Sequence, residues 1–204
     1  HIKQLKKWAK PKRVSTPIHL LPSSSKIIYE PLGVALIVSP WNYPFQLVFN
    51  SLVGAISSGC CSVLKPSPDT PTIAKLMEAM IVENFDSNYI CVVQGGREVN
   101  TILFAQRFDI IFFTGSSKVG KVVMKAAAEN LTPVVLELGG KSPCIVDADA
   151  DIDIAAKRII WGKLINAGQT CIAPDYLFAH ESIKDKLLTK IATNIQLMYG
   201  ENIK

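Results

Sequence analysis

The sequence has 204 residues, of which 49% are hydrophobic and 19% are charged, so it can bury a sizeable core and is not a disordered chain. Its net charge is +5, but six of the 22 basic residues lie within the first 13 positions, where no acidic residue occurs. The remaining 16 basic residues are balanced by 17 acidic ones, which predicts a solvated basic arm at the N-terminus and does not support a nucleic-acid-binding surface.

Between residues 33 and 138, short apolar runs alternate with stretches of helical periodicity. Thr70 is expected to cap a helix whose first position is Pro71. Strands that alternate with helices at this spacing predict right-handed βαβ units, a parallel sheet and an α/β fold. In chain order, the pattern predicts a strand at 33–38, a helix at 44–58, a strand at 62–65, a helix from Pro71, a strand at 89–94, a helix at 98–106, a strand at 109–113, a helix ending near Asn130 and a strand at 133–138.

Residues 139–204 follow a different pattern. We place a domain boundary near Gly139-Gly140, which makes residues 1–138 one domain and residues 139–204 the beginning of a second. The second part is predicted to contain a strand at 142–146, a helix at about 151–166, a loop around Cys171, a strand at 176–179 and a helix at about 183–199.

Four residues that could serve a ligand lie at or just after predicted strand ends. They are Asn42, Lys65, Gly115 and Glu137. Because ligands of parallel sheets bind beyond the carboxyl ends of the strands, these residues predict a ligand site at one rim. Taken singly, Asn42 fits a turn residue better than an oxyanion donor, and Lys65 fits a surface lysine better than a nucleotide contact.

The stretch from Gly115 to Gly120 could present backbone N–H groups and a helix N-terminus to a phosphate. It matches neither the G-x-G-x-x-G pattern nor a phosphate loop, since no Gly-Lys-Ser/Thr ends it. Taken alone, this stretch therefore fits an ordinary capped helix start better than a phosphate site.

Glu137 stands inside the apolar run 133–138, where an unpaired carboxylate is costly in free energy. It is therefore either salt-bridged or buried for a function, with its proton affinity raised toward that of a base. We favour the functional interpretation, because acidic residues in the middle of a strand are uncommon.

The five cysteines fit neither a disulfide framework nor a metal centre. Their odd number and irregular spacing predict reduced thiols in the cytoplasm and no metal site. Cys171 lies in a polar loop beside Gln169 and Thr170, so it is either an inert thiol or a nucleophile. No histidine is close in sequence, although His19 or His180 could approach it in space. The sequence contains neither a secretory signal nor an apolar run that could span a bilayer.

Five motifs occur together in the order and spacing of one family. They are PWNYP (40–44), LKPS (64–67), FTGSSKVGK (113–121), LELGGKSP (136–143) and GQTCIAPD (168–175). Through them, essentially the whole chain resembles the aldehyde dehydrogenase superfamily, and it is most similar to the class 3 branch. Members of that family are more than twice as long, so the resemblance implies a central fragment that need not be active by itself.

The resemblance implies a Rossmann-like cofactor domain at 1–138, followed by the start of an α/β catalytic domain at 139–204. It implies that Cys171 is the thiolate nucleophile, Glu137 the general base, and Asn42 an oxyanion donor alongside the Cys171 backbone N–H. The cofactor would be NAD or NADP, with its pyrophosphate along Gly115–Gly120 and its adenosine ribose at Lys65. The implied cofactor-binding residues are Ser39, Trp41, Lys65, Gly115, Ser116, Ser117, Lys118, Val119 and Gly120.

The implied activity is oxidation of a small-molecule aldehyde to a carboxylic acid through a cysteine thioester, with hydride transfer to NAD(P). A thioester-forming acyl reductase of the same superfamily and a non-catalytic nucleotide-binding fragment remain as alternatives. The full-length protein is expected to be a homodimer. Pro68 departs from the family, which often carries a glutamate after Lys-Pro-Ser, and this departure predicts a cofactor preference relaxed toward NADP.

Overall fold

The computed structural model describes residues 2–200. Its contacts divide the chain into two units, one ending at Glu137 and the other beginning at Leu138. The division comes just before the Gly139-Gly140 turn, where the sequence pattern changes. Each unit has its own sheet and its own hydrophobic core.

The basic N-terminal arm folds into a short helix and a hairpin. Helix α1 (Ile2–Trp8) is followed by strands β1 (Lys12–Val14) and β2 (Ser25–Ile27), which pair antiparallel with Val14 opposite Ser25. Within residues 2–32, every side chain is exposed except Thr16 and Ser25, which are half-buried. The cations of this segment are therefore solvated, as the sequence predicted.

The main sheet of the first unit has the order β5-β4-β3-β6-β7. The pairs β3/β4, β3/β6 and β4/β5 are parallel, which confirms the predicted α/β class. Numbered from β3, this order is 3-2-1-4-5, and it reverses between β3 and β6, the place where ligands of doubly wound sheets bind. The strands are β3 (Val34–Val38), β4 (Cys61–Lys65), β5 (Ile90–Val92), β6 (Ile110–Gly115) and β7 (Val134–Leu138).

Of the four helices of the first unit, the first two begin at the predicted prolines, the third begins one residue before the predicted start, and the fourth begins within the Gly115–Gly120 stretch that was expected to precede it. They are α2 (Pro44–Ser58), α3 (Pro71–Asn84), α4 (Arg97–Phe104) and α5 (Ser117–Ala128). Pro44 and Pro71 occupy first-turn positions, where a missing N–H leaves no helical bond unmade. The expectation that the Thr70 hydroxyl caps α3 is wrong, because that hydroxyl donates to the carbonyl oxygen of Ser67, 3.4 Å away.

The core of the first unit lies between the sheet and the helices α2 and α3. Strand β3 is buried from Ala35 to Val38, as expected for a central strand of a sheet covered on both faces. The core cluster comprises Ile37, Val48, Leu52, Leu64, Met77, Ile81 and Ile90.

The second unit is a β-α-β unit followed by a helix. Strands β8 (Ser142–Val146) and β9 (Pro174–Ala179) are parallel, and α6 (Ile152–Leu164) connects them on the way to the Cys171 loop. The last helix is α7 (Lys184–Tyr199), and it packs with α6 over a core that includes Val146, Ala156 and Leu187. The expected extension of α6 to Asn166 is wrong, because Asn166 has a left-handed backbone with φ 52°.

Gly33 provides a test of how β3 is anchored. Its φ is +127°, and a Cβ there would lie 2.1 Å from Oδ2 of Asp109, the same atom that accepts the Val34 N–H at 2.7 Å. We expect Gly33→Ala to lower the free energy of unfolding by roughly 1–3 kcal/mol. Gly54→Ala is the control, since a Cβ on that α2 residue meets nothing within 4 Å and should stabilise by up to about 1 kcal/mol. Denaturant unfolding of both variants measures the difference, and equal midpoints would contradict this account.

Candidate active site

The loop after β3 begins the candidate site. Ser39 is buried, and its N–H donates to the carbonyl oxygen of Lys65 over 3.2 Å, which ties this loop to the end of β4. Tyr43, with φ −135° and ψ 66°, departs from the predicted extended backbone before Pro44 starts α2. Asn42 is half-buried in this turn, and Trp41 is 46% exposed. The three predicted residues Ser39, Trp41 and Asn42 therefore emerge at the strand-order reversal.

The start of α5 faces the same edge of the sheet. The Ser116 hydroxyl accepts the Val119 N–H at 3.3 Å, and the Ser116 carbonyl accepts the Gly120 N–H at 2.9 Å. The amides of Ser117 and Lys118 belong to the first turn, which by helix geometry offers them no intrahelical acceptor. Together with the positive end of the helix dipole, amides in such a position can attract an anion.

At the carboxyl end of β6, Gly115 lies against the ring of Phe113. A Cβ on Gly115 would lie 2.6 Å from Cζ of Phe113, so a side chain there would collide with the ring. Next to it, Thr114 is 8% exposed, and its Oγ1 has no hydrogen-bond partner within residues 2–200. A buried hydroxyl without a partner is unfavourable unless a ligand supplies one. Sequence reasoning missed Thr114, although a polar residue between Phe113 and Gly115 at a strand end was a signal.

Lys65 is not the surface lysine that its residue type alone favoured. It is 1% exposed, and its Nζ donates to the carbonyl oxygen of Pro66 over 2.9 Å. Burial lowers the pKa of the Lys65 ammonium below its usual value, and the carboxylate of Asp69 offsets part of that effect. A buried ammonium destabilises a fold, so its position at the end of β4 indicates a function.

A cleft of about 140 Å³ lies just after β4 and β5, and one of its lining residues is Pro66, whose carbonyl oxygen accepts the hydrogen bond from Lys65 Nζ. Asp69 follows the lining residue Pro68, and the Ser67 hydroxyl donates to Oδ2 of Asp69 at 3.1 Å and accepts the Asp69 N–H at 3.3 Å. Both Pro68 and Asp69 are exposed. The cleft is lined by Pro66, Ser67, Pro68, Pro71, Ala74, Gln94 and Gly95.

Glu137 lies on β7, and the structure overturns the expectation that it is buried. Strand β7 is at the edge of the sheet, and its side chains alternate between half-buried and exposed. Val134, Leu136 and Leu138 occupy one face, so the period of two residues places Glu137 on the exposed face. The apolar run reflects one covered face, and the argument from burial therefore fails.

Cys171 lies in the second unit, in the turn between a short 3₁₀ helix (Ile165–Gly168) and β9. It is exposed, whereas burial raises the thiol pKa of both Cys91 and Cys144. An inert buried thiol is thus excluded for Cys171. Nδ1 of His180 is 2.8 Å from the Ser182 hydroxyl, so this histidine is engaged within its own turn and gives no support for a Cys-His dyad.

The aldehyde dehydrogenase family model matches residues 5–203 of the chain. The chain belongs to the aldehyde dehydrogenase family. The match covers both units. It therefore includes the predicted site residues of the first unit as well as Cys171 of the second.

Curated relatives support the same assignment. The chain is 52% identical over 202 residues to the 4,4'-diaponeurosporen-aldehyde dehydrogenase of Staphylococcus aureus, covering 99% of this chain and 44% of that protein. It is 46% identical over 203 residues to the aldehyde dehydrogenase, dimeric NADP-preferring, of Rattus norvegicus, covering 100% of this chain and 45% of that protein. The chain thus spans less than half the length of these aldehyde dehydrogenases.

Solved aldehyde dehydrogenases share the fold. The substrate-bound Staphylococcus aureus AldH superposes with a TM-score of 0.96 at 52% identity, over 98% of this chain and 44% of that one. The Staphylococcus aureus betaine aldehyde dehydrogenase in complex with NAD+ gives a TM-score of 0.82 at 34% identity, over 91% of this chain and 37% of that one.

Neither a group of metal ligands nor a membrane-spanning helix occurs within residues 2–200. Within residues 2–200, no three or more His, Cys, Asp or Glu side chains are grouped so that they could hold a metal ion. In the same part of the chain, no helix has the length and apolar character needed to cross a membrane.

The burial of Lys65 predicts that the fold is less stable than it would be with an apolar side chain at this position of β4. We expect Lys65→Met to raise the free energy of unfolding of the cofactor-free protein by about 1 kcal/mol or more, because it removes a buried charge. Lys75→Met, on the exposed side of α3, should change it by less than about 0.5 kcal/mol.

The pH dependence of stability tests whether the buried charge of Lys65 causes this difference. With the Lys65 pKa lowered in the folded state, the unfolded chain binds more protons between that lowered pKa and the usual 10.5, so parent stability rises with pH across this window. The difference in the free energy of unfolding between Lys65→Met and the parent should therefore narrow across this pH window. A constant gap in unfolding midpoints would show that charge burial is not the cause.

Proposed function

We propose that the protein carrying this chain oxidises an aldehyde to a carboxylic acid and transfers hydride to NAD or NADP. The observation that carries the proposal is Cys171, the one exposed thiol among five cysteines that all lie in the described part of a family chain. A thiolate is the nucleophile that can form a thioester intermediate. Asn42 and Glu137 complete the proposed catalytic set.

The first unit fits a dinucleotide. The amides at the start of α5 suit the pyrophosphate, which in our proposal runs along the turn that begins at Gly115. The buried ammonium of Lys65 and the neighbouring cleft suit the adenosine ribose. The unpartnered hydroxyl of Thr114 gives the bound group a further hydrogen-bond partner. Ser39 and Trp41 border the same crevice in our proposal, as do Ser116, Ser117, Lys118, Val119 and Gly120.

Each proposed catalytic residue has its own role in the reaction. The Cys171 sulfur forms a bond to the aldehyde carbon, and the Asn42 amide and the Cys171 N–H stabilise the resulting oxyanion. When bound, the cofactor accepts the hydride that leaves this carbon with its electron pair, and a thioester remains on Cys171. Glu137 then takes a proton from water, the water oxygen attacks the thioester carbon, and the C–S bond breaks to release the carboxylic acid.

Assembly and location follow as proposals. The rat relative is named as dimeric, and we propose a homodimer for the full-length protein. The five cysteines are free, which suits the reducing cytoplasm. The Staphylococcus aureus relative is named for 4,4'-diaponeurosporen-aldehyde, and for this protein we propose a small-molecule aldehyde as substrate.

Two variants of the full-length protein test the catalytic roles. Cys171→Ser should abolish aldehyde oxidation, whereas Glu137→Gln should form the acyl-enzyme and hydrolyse it slowly, because only deacylation needs the base. Intact-mass spectrometry after addition of aldehyde and NAD(P) detects the adduct. Cofactor binding without NAD(P)H production by the parent would instead support a non-catalytic nucleotide-binding protein. Efficient transfer of the acyl group to phosphate or coenzyme A would support an acyl reductase.

Substitutions at Pro68 and Asp69 test the preference for NAD or NADP. With no carboxylate at this exposed position, and with Lys65 beside the cleft, we expect kcat/KM for NADP to lie within about tenfold of that for NAD. Pro68→Glu should lower the NADP value selectively. Asp69→Asn is the matched control, because the Asp69 carboxylate is one residue away and is held by Ser67. Strong NAD selectivity that only Asp69→Asn relaxes would assign discrimination to Asp69 and contradict the role of Pro68.

A further inference from the structure

The turn between β7 and β8 contacts the backbone of the Cys171 loop. The N–H of Gly140 donates a hydrogen bond of 3.2 Å to the carbonyl oxygen of Cys171. Both residues belong to the second unit, and each lies just before one of the paired strands β8 and β9. The parallel pairing, with Ser142 opposite Pro174, therefore holds the two loops side by side.

The approach of the two loops leaves no room for a side chain at position 140. A Cβ on Gly140 would lie 2.7 Å from the Cys171 carbonyl oxygen, a separation that real Cβ atoms essentially never show. The neighbouring Gly139 differs, because a Cβ there would meet nothing within 4 Å. Replacing either glycine by alanine thus adds the same methyl group to one turn, but the methyl group collides only at position 140.

The loop before Cys171 needs an anchor of this kind. Asn166 and Ala167 have φ values of 52° and 54°, and Gly168 follows with 78°. Left-handed backbone is unfavourable for alanine, and it persists only where surrounding contacts fix it. After this stretch, the Ala173 N–H donates to the Thr170 carbonyl over 3.1 Å and closes a turn around Cys171.

A second link between the loops is weaker. Nζ of Lys141 lies 3.1 Å from Oδ2 of Asp175, but the Lys141 side chain is 83% exposed. Solvent-exposed ion pairs of this kind contribute little. The hydrogen bond and close contact of Gly140 are therefore the stronger constraint on the position of Cys171.

We propose that Gly140 is a positioning residue for the nucleophile. Its N–H fixes the carbonyl of Cys171, and the missing side chain lets the loop approach closely enough for Sγ to be held in its attacking orientation. This inference rests on the proposed role of Cys171 and extends it to a residue that does not touch the substrate. A displacement of about 1 Å at a reacting atom can slow catalysis about a hundredfold.

The test compares Gly140→Ala, Gly139→Ala and Cys171→Ser in the full-length protein. Gly140→Ala should lower kcat about 10- to 100-fold, because it displaces the nucleophile. The KM for the cofactor should stay within about twofold, since the cofactor residues lie in the first unit. The rate of Cys171 alkylation by iodoacetamide should change in Gly140→Ala without substrate or cofactor. Gly139→Ala should resemble the parent in all three measurements.

The outcomes separate this inference from the proposed function. Identical kinetics and alkylation in the two alanine variants, with Cys171→Ser inactive, would overturn the positioning role and leave the proposed function standing. Full activity in Cys171→Ser would overturn the proposed function itself. Should Gly140→Ala not fold, amide hydrogen exchange of the parent decides: a protected Gly140 amide supports the hydrogen bond, and exchange at the unprotected rate contradicts it.

Discussion

Backbone pairing of β3 with both of its neighbours is the constraint on which the candidate cofactor site depends. Val38 at the end of β3 lies opposite Lys65 of β4 on one side and Phe113 of β6 on the other. Because the three strands run parallel, the chain leaves them at one edge of the sheet. Strand β4 lies on one side of β3 and β6 lies on the other, so the strand order reverses here, and ligands of doubly wound sheets bind at such a reversal.

Several local rules of stability are broken in this chain, and they are broken at proposed functional positions. Lys65 buries an ammonium, and Thr114 buries a hydroxyl without a partner within residues 2–200. Ala167 holds a left-handed backbone close before Cys171, the proposed nucleophile. These positions lie beside an apolar core in the first unit and a parallel strand pair, with one register shift at Ser142/Pro143, in the second. Departures concentrated in this way are expected where a site is built for a ligand or a reaction.

The sequence was sufficient to predict elements whose signals are local. The apolar runs predicted the strands of the main sheet, and Pro44 and Pro71 marked helix starts because proline suits the first turn. The burial of individual side chains could not be predicted from the sequence in the same way. Lys65 is enclosed by the packing of the turn after β4, and Glu137 is exposed because β7 lies at the edge of the sheet. Both outcomes depend on strand order, which the identity of a single residue does not contain.

The proposed cofactor residues follow strands of the first unit, whereas the proposed nucleophile precedes a strand of the second, and this difference has a physical basis. In the first unit, the proposed cofactor residues follow β3, β4 and β6, where the chain turns into helices whose first amides attract anionic groups. In the second unit, Cys171 precedes β9, and the chain around it is held by β-strand pairing and by Gly140. A phosphate is attracted by the electrostatic field at a helix N-terminus, and this attraction persists even if the loop shifts slightly. A nucleophile needs a fixed direction of attack, which a backbone hydrogen bond to a paired strand loop supplies more directly.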